Sequence, residues 1–340
     1  NSGGTTLSYS DLLLSMATNQ WKDLDAREEV RTLVEELNQV GSGCRFSKDL
    51  VLKAGLVLTD VPDIRFQVSN FTQSNMALME QQWAKIRTSL LAAVELLGSF
   101  GYTSRTLTAD SVVIPIAFYL HKRGIGISYV SSSSAATDRL VIQRWVARSL
   151  MKRGIWGSGL DTLLNRLREA IRSSLDQSFP ITEIEQAMVL IGKSLKFEEA
   201  EVSELLDLEY GSRRTFPVLA TIYPGLDLSK SFHEDHIFPR SRFRHTSLLK
   251  AGVPLDKVEE MKKRVDGLAN LQLLPGGPNI EKSAALPSEW LSGPHFASEA
   301  SRQQYILDND LLALPENITG FIEFYESRRT ELEKRLRIAL

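Results

Sequence analysis

Cysteine is almost absent: Cys44 is the only one among 340 residues. One thiol excludes an internal disulfide and any multi-cysteine zinc site, and such usage suits a reducing compartment. No histidine or second cysteine lies near Cys44 in the sequence, so it reads as a buried structural thiol and not as a nucleophile. A long apolar run is missing as well. The longest, Ser111 to Leu120, is too short to span a bilayer and contains Pro115, so no membrane partner is expected. Charge of one sign is also missing. The net charge of -2 gives the whole molecule no basic character, and any nucleic-acid surface has to be local. Asn1 to Thr6 carry no initiator methionine and no signal-peptide pattern, and the chain is read as a fragment of a longer protein.

What is present is ordinary globular material, 43% hydrophobic and 24% charged, enough for a sizeable core and, at this length, two domains. From Leu7 to about Leu208 the pattern is mostly helical. Ser8 or Ser10 can cap a helix through Leu12, Leu13, Leu14 and Met16. Asp25 to Glu29 opens a second, with Val30, Leu33, Val34 and Leu37 at the helical period. Ser47-Lys48-Asp49 precedes a third, and one long segment is expected from Asn75 to about Leu97. Further helices are expected over Asp110–Lys122, Ala136–Arg153, Leu160–Leu175, Ile181–Gly192 and Glu198–Leu208, with glycines, Pro180 and the Ser131–Ser134 run at the breaks.

After Tyr210 the texture changes, so the domains are placed at 1–209 and 210–340. Thr215 to Tyr223 is a dense apolar run that suits a short helix or a strand. Phe232–Phe238 is strand-like, Ser241–Leu249 helical, Pro254–Val265 a charged helix, and Leu268–Leu274 strand-like again. Pro275 to Pro278 forms a turn, Asn279 opens a short helix, and an amphipathic helix runs from about Thr319 to Ala339. The fold expected is mainly α with a small α+β part: a helical N-terminal lobe, then a domain with a ββα centre.

Six polar residues stand out in this second part: His233, Asp235 and His236 in the first strand, and Asn270, Asn279 and Lys282 around the second. A strand, a loop, a second strand and a short helix can bring both ends around one ion. Phosphodiester cleavage needs a nucleophilic water, neutralised phosphoryl charge and a stabilised leaving oxygen. Imidazole suits the base, since its pKa of about 6.5 leaves it largely neutral at cellular pH. The Asp235 carboxylate and the Asn279 amide oxygen suit a hard divalent cation, Mg2+ or Mn2+. Lys282, one turn beyond Asn279, is placed to reach phosphate as a point charge. Asn270 is placed to bond backbone and hold the loop that bears His236. Adjacent strand residues point to opposite faces, so Asp235 and His236 share an ion only where the strand ends or distorts, and Pro239 makes an ending there reasonable. Between Pro239 and Arg264 eight Lys or Arg stand against three acids, which makes Arg240, Arg242, Arg244 and His245 candidate DNA contacts.

Asp235-His236-Ile237-Phe238-Pro239, Asn270-Leu271-Gln272-Leu273-Leu274 and Asn279 with Lys282-Ser283 together resemble the ββα-metal (HNH) nuclease signature, in the form where Asn replaces the last His. The HNH domain of RNA-guided CRISPR nucleases is similar in this respect. A closer resemblance is to the C-terminal nuclease domain of GmrSD-type, modification-dependent restriction enzymes. Their pattern is an H-x-D-H-I-x-P strand, a strand with N-L-x-x-L, and N-x-x-K-S. The resemblance implies Asp235 and Asn279 as metal ligands, His236 as general base, Asn270 as the structural Asn, and His233 as a metal or phosphate ligand. The start, Asn1-Ser2-Gly3-Gly4-Thr5 through Leu13, resembles the segment after the nucleotide-associated domain of those proteins. Their D-G-Q-Q-R motif does not occur, so no nucleotide site is expected in this fragment. The resemblance implies a cytoplasmic bacterial anti-phage effector that nicks DNA, of a type that includes phosphorothioate-DNA sensing proteins, with the absent N-terminal domain as partner.

Three alternatives stand beside that reading. His233, Asp235 and His236 are the chemistry of a zinc site, although structural zinc usually takes four protein ligands. The chain also suits a DNA-binding or regulatory module with an inactive centre, or a nuclease whose substrate is RNA. A buried Asp235–His236 hydrogen bond would explain two residues and leave Asn279 and Lys282 unrelated. Glu234 reads as solvated, Arg213 and Arg214 as a surface pair, and His121 and His295 have no role.

Overall fold

The computed structural model describes residues 9–18, 20–40, 43–174, 178–228, 230 and 232–340. The Asn1–Thr6 start, the Ser8 cap and the Ser10 side chain lie outside the described residues. The chain divides into two compact units, Asn1–Leu195 and Lys196–Leu340.

The elements of the first unit among the described residues are helices: α1 (Tyr9–Thr18), α2 (Ala26–Gln39), α3 (Lys48–Leu58), α4 (Gln73–Gln81), α5 (Trp83–Ser99), α6 (Val113–Arg123), α7 (Ala136–Met151), α8 (Leu160–Ser173) and α9 (Ile181–Val189), with short 3-10 turns between them. The starts are set by side chains that satisfy orphan N–H groups. Asp25 accepts from the amides of Arg27 and Glu28, and Ser47 from that of Leu50. Every residue of α6 from Val113 to His121 is buried, as expected of a helix that is apolar all round, and α3, α5 and α8 pack on it. The expected single segment over 75–97 is two helices that break at Gln82. That residue leaves helical geometry (φ -97°, ψ 2°), and its Oε1 stands 3.3 Å from Nε2 of the buried His121.

The second unit contains α10 (Glu199–Leu206), α11 (Thr215–Ile222), β1 (Phe232–His236), α12 (His245–Lys250), α13 (Leu255–Arg264), β2 (Leu271–Pro275), α14 (Gly276–Lys282), α15 (Pro287–Leu291), α16 (Glu299–Asp308) and α17 (Phe321–Ala339). The run of undecided type, Thr215 to Tyr223, is helical. α17 is the scaffold of the unit. Its Phe321, Phe324, Tyr325, Arg328, Leu332 and Leu336 are buried, and α10, α11 and α13 pack against it. The division falls after Leu195 and not near Glu209 because α10 is tied to α17. Arg337 pairs with Glu199, and Arg329 bonds the Leu206 carbonyl at 2.8 Å and the Asp207 carboxylate at 2.7 Å.

β1 and β2 form an antiparallel pair, with Phe232 opposite Pro275, Asp235 opposite Gln272 and His236 opposite Leu271. α14 follows β2 with no intervening residue and packs on both strands. The expected turn at Pro275–Pro278 is therefore the end of β2 and the first turn of α14, and Asn279 lies inside the helix. Among the described residues no helix is long and apolar enough to cross a membrane.

Candidate active site

The two-residue period of β1 places His233 and Asp235 on one face of the pair and Glu234 and His236 on the other. The strand stays regular through His236, and the amide of Ile237 still donates to the Asn270 carbonyl at 2.8 Å. Asp235 and His236 therefore enter separate surroundings.

On the first face, α14 covers Asp235. Lys282 is buried, and its ammonium lies 3.0 Å from Oδ2 and 3.3 Å from Oδ1 of Asp235 while it donates to the His236 carbonyl at 2.6 Å. Burial lowers the Lys282 pKa, and the Asp235 charge opposes that shift. The expectation that Lys282 reaches outward to phosphate is corrected here: its side chain is 1% exposed and its donors are spent on β1. Gln272 donates to Asp235 Oδ2 at 2.8 Å, and the Tyr305 hydroxyl of α16 donates to Gln272 Oε1 at 2.7 Å. A neutral relay and a buried cation thus hold one carboxylate. His233 is exposed, and its ring lies over the start of α14, where a Cβ added to Gly276 would sit 3.3 Å from His233 Nε2. Asn279 is half-buried, one helical turn before Lys282.

On the second face, His236 Nε2 lies 2.8 Å from Asp266 Oδ1, and the Tyr210 ring packs on the imidazole with centroids 4.7 Å apart. Glu234 is not freely solvated: it accepts from the amide of Gly211 at 3.3 Å and from that of Phe216, and burial raises its pKa.

Asn270 joins the segments that carry these groups. It is fully buried in the turn before β2. Its Oδ1 accepts from the Phe238 amide at 2.9 Å, and its Nδ2 donates to the carbonyls of Phe238 at 3.1 Å and Val265 at 2.8 Å. Arg328 secures the same turn from α17 by donating to the carbonyls of Ala269 and Leu271, both at 2.8 Å.

The residues following β1 carry the expected cations. Arg240, Arg242, Arg244 and His245 are all exposed. Arg240 lies 3.4 Å from Asp266, and Arg242 donates to the Ala284 carbonyl at 3.0 Å. Arg214, expected as half of a surface pair, is bound to Glu204. Cys44 is half-buried, and burial pushes its thiol up to about 11, which suits an inert group. His295 stacks on Trp290 at 3.6 Å.

Carboxylate, carboxamide and imidazole are the donor types that a hard divalent cation keeping part of its water shell would take. The Asp235 Oδ1 contact to Lys282 at 3.3 Å is long, so that oxygen retains lone-pair capacity. His233 shares its face, and Asn279 is the next outward position along α14. Among the described residues no three His, Cys, Asp or Glu side chains are grouped to hold a metal ion, and the candidate set of Asp235, His233 and Asn279 counts a carboxamide as its third member. The zinc trio of His233, Asp235 and His236 is not assembled, because β1 sends His236 to the opposite face.

Four residues of this arrangement have no site role in the sequence analysis: Asp266, Tyr210, Gln272 and Tyr305. Gln272 alone left a signal, as a polar residue inside a leucine-rich strand. No family model matches the chain, and no curated protein matches it.

Proposed function

We propose that the chain is a divalent-metal-dependent endonuclease of the HNH type that nicks DNA as the effector of an anti-phage restriction system. The observation that carries this reading is the packing of α14 on Asp235 of the β1–β2 pair, with Asn279 one turn before the contact. Asp235, Asn279 and His233 would hold Mg2+ or Mn2+, which when bound neutralises phosphoryl charge and stabilises the leaving 3′-oxygen. His236 takes the proton from the water that attacks phosphorus in line. Arg240, Arg242, Arg244 and His245 follow directly and contact the DNA backbone. One such site cuts one strand, and a double-strand break takes a second copy or repeated nicks.

One observation favours a second reading, an inactive DNA-binding module: Asp235 already carries a cation in Lys282. A plasmid assay separates the two. Supercoiled DNA is incubated with the chain over a range of Mg2+ or Mn2+ concentrations, with His236→Ala as control and RNA offered in parallel. Relaxed circles from the wild type and none from the variant support the nuclease. An absence of relaxed product at every metal concentration supports the binding module.

A further inference from the structure

We infer that Asp266 is the positioning residue of His236, fixing the ring as the Nε2–H tautomer and leaving Nδ1 as the atom that receives the proton from water. The inference deepens the nuclease reading and rests on it for the catalytic consequence, while the tautomer stands on geometry alone. A carboxylate only accepts hydrogen bonds, so the 2.8 Å contact between His236 Nε2 and Asp266 Oδ1 requires the hydrogen on Nε2. In the neutral ring the lone pair is then on Nδ1. Among the described residues nothing else hydrogen-bonds the imidazole, so Nδ1 is left for solvent.

The backbone around the pair is over-determined, which distinguishes it from an exposed ion pair. The Asn270 side chain bonds the backbone of Phe238, two residues after His236, and the carbonyl of Val265, the residue before Asp266. One buried carboxamide therefore sets the separation of the two strands of chain that bear imidazole and carboxylate. Tyr210 closes the third side. Its amide donates to the Asp266 carbonyl at 2.7 Å, and its ring lies against the imidazole at 4.7 Å. Gly267 adds an isolated bridge to Glu209, which fixes the Tyr210 segment beside Asp266. The His236 side chain is 13% exposed and that of Asp266 27%, so the hydrogen bond is largely shielded while one edge of the ring stays accessible. Arg240 stands 3.4 Å from the other carboxylate oxygen on a side chain that is 66% exposed, an arm too solvated to compete for Asp266. A carboxylate that orients an imidazole in this way selects its tautomer.

The test uses the full chain with nitrogen-15 in its histidines. The His236 signals are assigned by their loss in His236→Ala, and His295 serves as an internal control. At a pH where the rings are neutral, the wild type should show His236 Nε2 in the protonated range and Nδ1 in the unprotonated range. In Asp266→Ala both signals should move toward the average of exchanging tautomers while those of His295 stay fixed. A wild-type ring protonated on Nδ1, or signals indifferent to Asp266→Ala, overturns the inference. Plasmid nicking adds the functional readout: Asp266→Ala should lower kcat about tenfold or more with KM within about twofold. Undiminished kcat overturns the positioning role. If the wild type nicks nothing, the nuclease reading fails, and the nitrogen signals still decide whether Asp266 sets the ring.

Discussion

Replacing Asn270 by Ala should destabilise the second unit by roughly 3–5 kcal/mol. The magnitude follows from what the side chain leaves behind. Asn270 is fully buried, and its amide serves three backbone groups: the Phe238 N–H, the Phe238 carbonyl and the Val265 carbonyl. An orphaned buried donor costs about 1–3 kcal/mol, and carbonyls tolerate a lost partner somewhat better because each has two lone pairs. Three such losses consume a large share of a domain stability of about 5–15 kcal/mol. Asn270→Asp is the sharper control. It keeps the shape and the acceptor for Phe238, yet it turns a carboxylate oxygen toward two carbonyls. Burial and those carbonyls would raise its folded pKa above the unfolded value. The variant is therefore most stable when protonated and loses stability as pH rises, so its deficit should shrink between pH 7 and pH 5. Urea unfolding gives the global loss, and amide hydrogen exchange locates it: Phe238 should lose protection while α6 of the first unit keeps its own. A loss below about 1 kcal/mol with Phe238 still protected would refute the clamp assigned to Asn270.

Lys282→Met should lower stability by about 3–5 kcal/mol in the absence of metal, because it leaves Asp235 buried without its cation. Mn2+ should then raise the melting temperature of the variant by more than that of the wild type. An equal or absent response, read by thermal unfolding, argues against an ion at Asp235. Gly267→Ala should be destabilising because its Cβ would overlap the hydroxyl of the buried Tyr325, and Tyr325→Phe should recover part of the loss in a double-mutant cycle. His121 should make the first unit acid-sensitive. Burial, with Lys85 and Lys122 nearby, holds its pKa down to about 4 against an ordinary value near 6.5. The unfolded chain takes up that proton first, so stability is lost as pH falls from about 6.5 to about 4, by an amount on the order of 3 kcal/mol. Urea midpoints across that window should slope for the wild type and flatten in His121→Gln.

The legible parts of this chain are those written in local chemistry. Asp25 and Ser47 announce helix starts because a cap needs only the next three residues. The α6 segment announces burial because it is apolar on every side. The break at Gln82 was not legible. Apolar residues continue at helical spacing on either side of it, and its His121 contact is 39 residues away. The Pro275–Pro278 segment misled for the opposite reason. Proline and glycine read as a turn, while Pro275 ends β2 and Gly276 begins α14 at once, a start that suits residues with no donor to lose and no side chain to crowd His233.

At the candidate site the same division separates residue identity from orientation. Spacing placed Asp235, Asn270, Asn279 and Lys282 in one neighbourhood, and the ββα arrangement does bring β1 and α14 together. Spacing carries no information about which groups are satisfied by each other. Lys282 looks like a free cation in sequence because nothing near it in the chain opposes it. It becomes a buried counter-charge only when α14 lies on β1. Asp266 is more hidden still. In Arg264-Val265-Asp266-Gly267 it reads as an ordinary helix exit, and its contact to His236 spans 30 residues of sequence. What brings the two together is the Asn270 carboxamide, which grips the chain on both sides. The residue that sequence motif reading treats as merely structural is therefore the one that determines where the imidazole and its carboxylate meet.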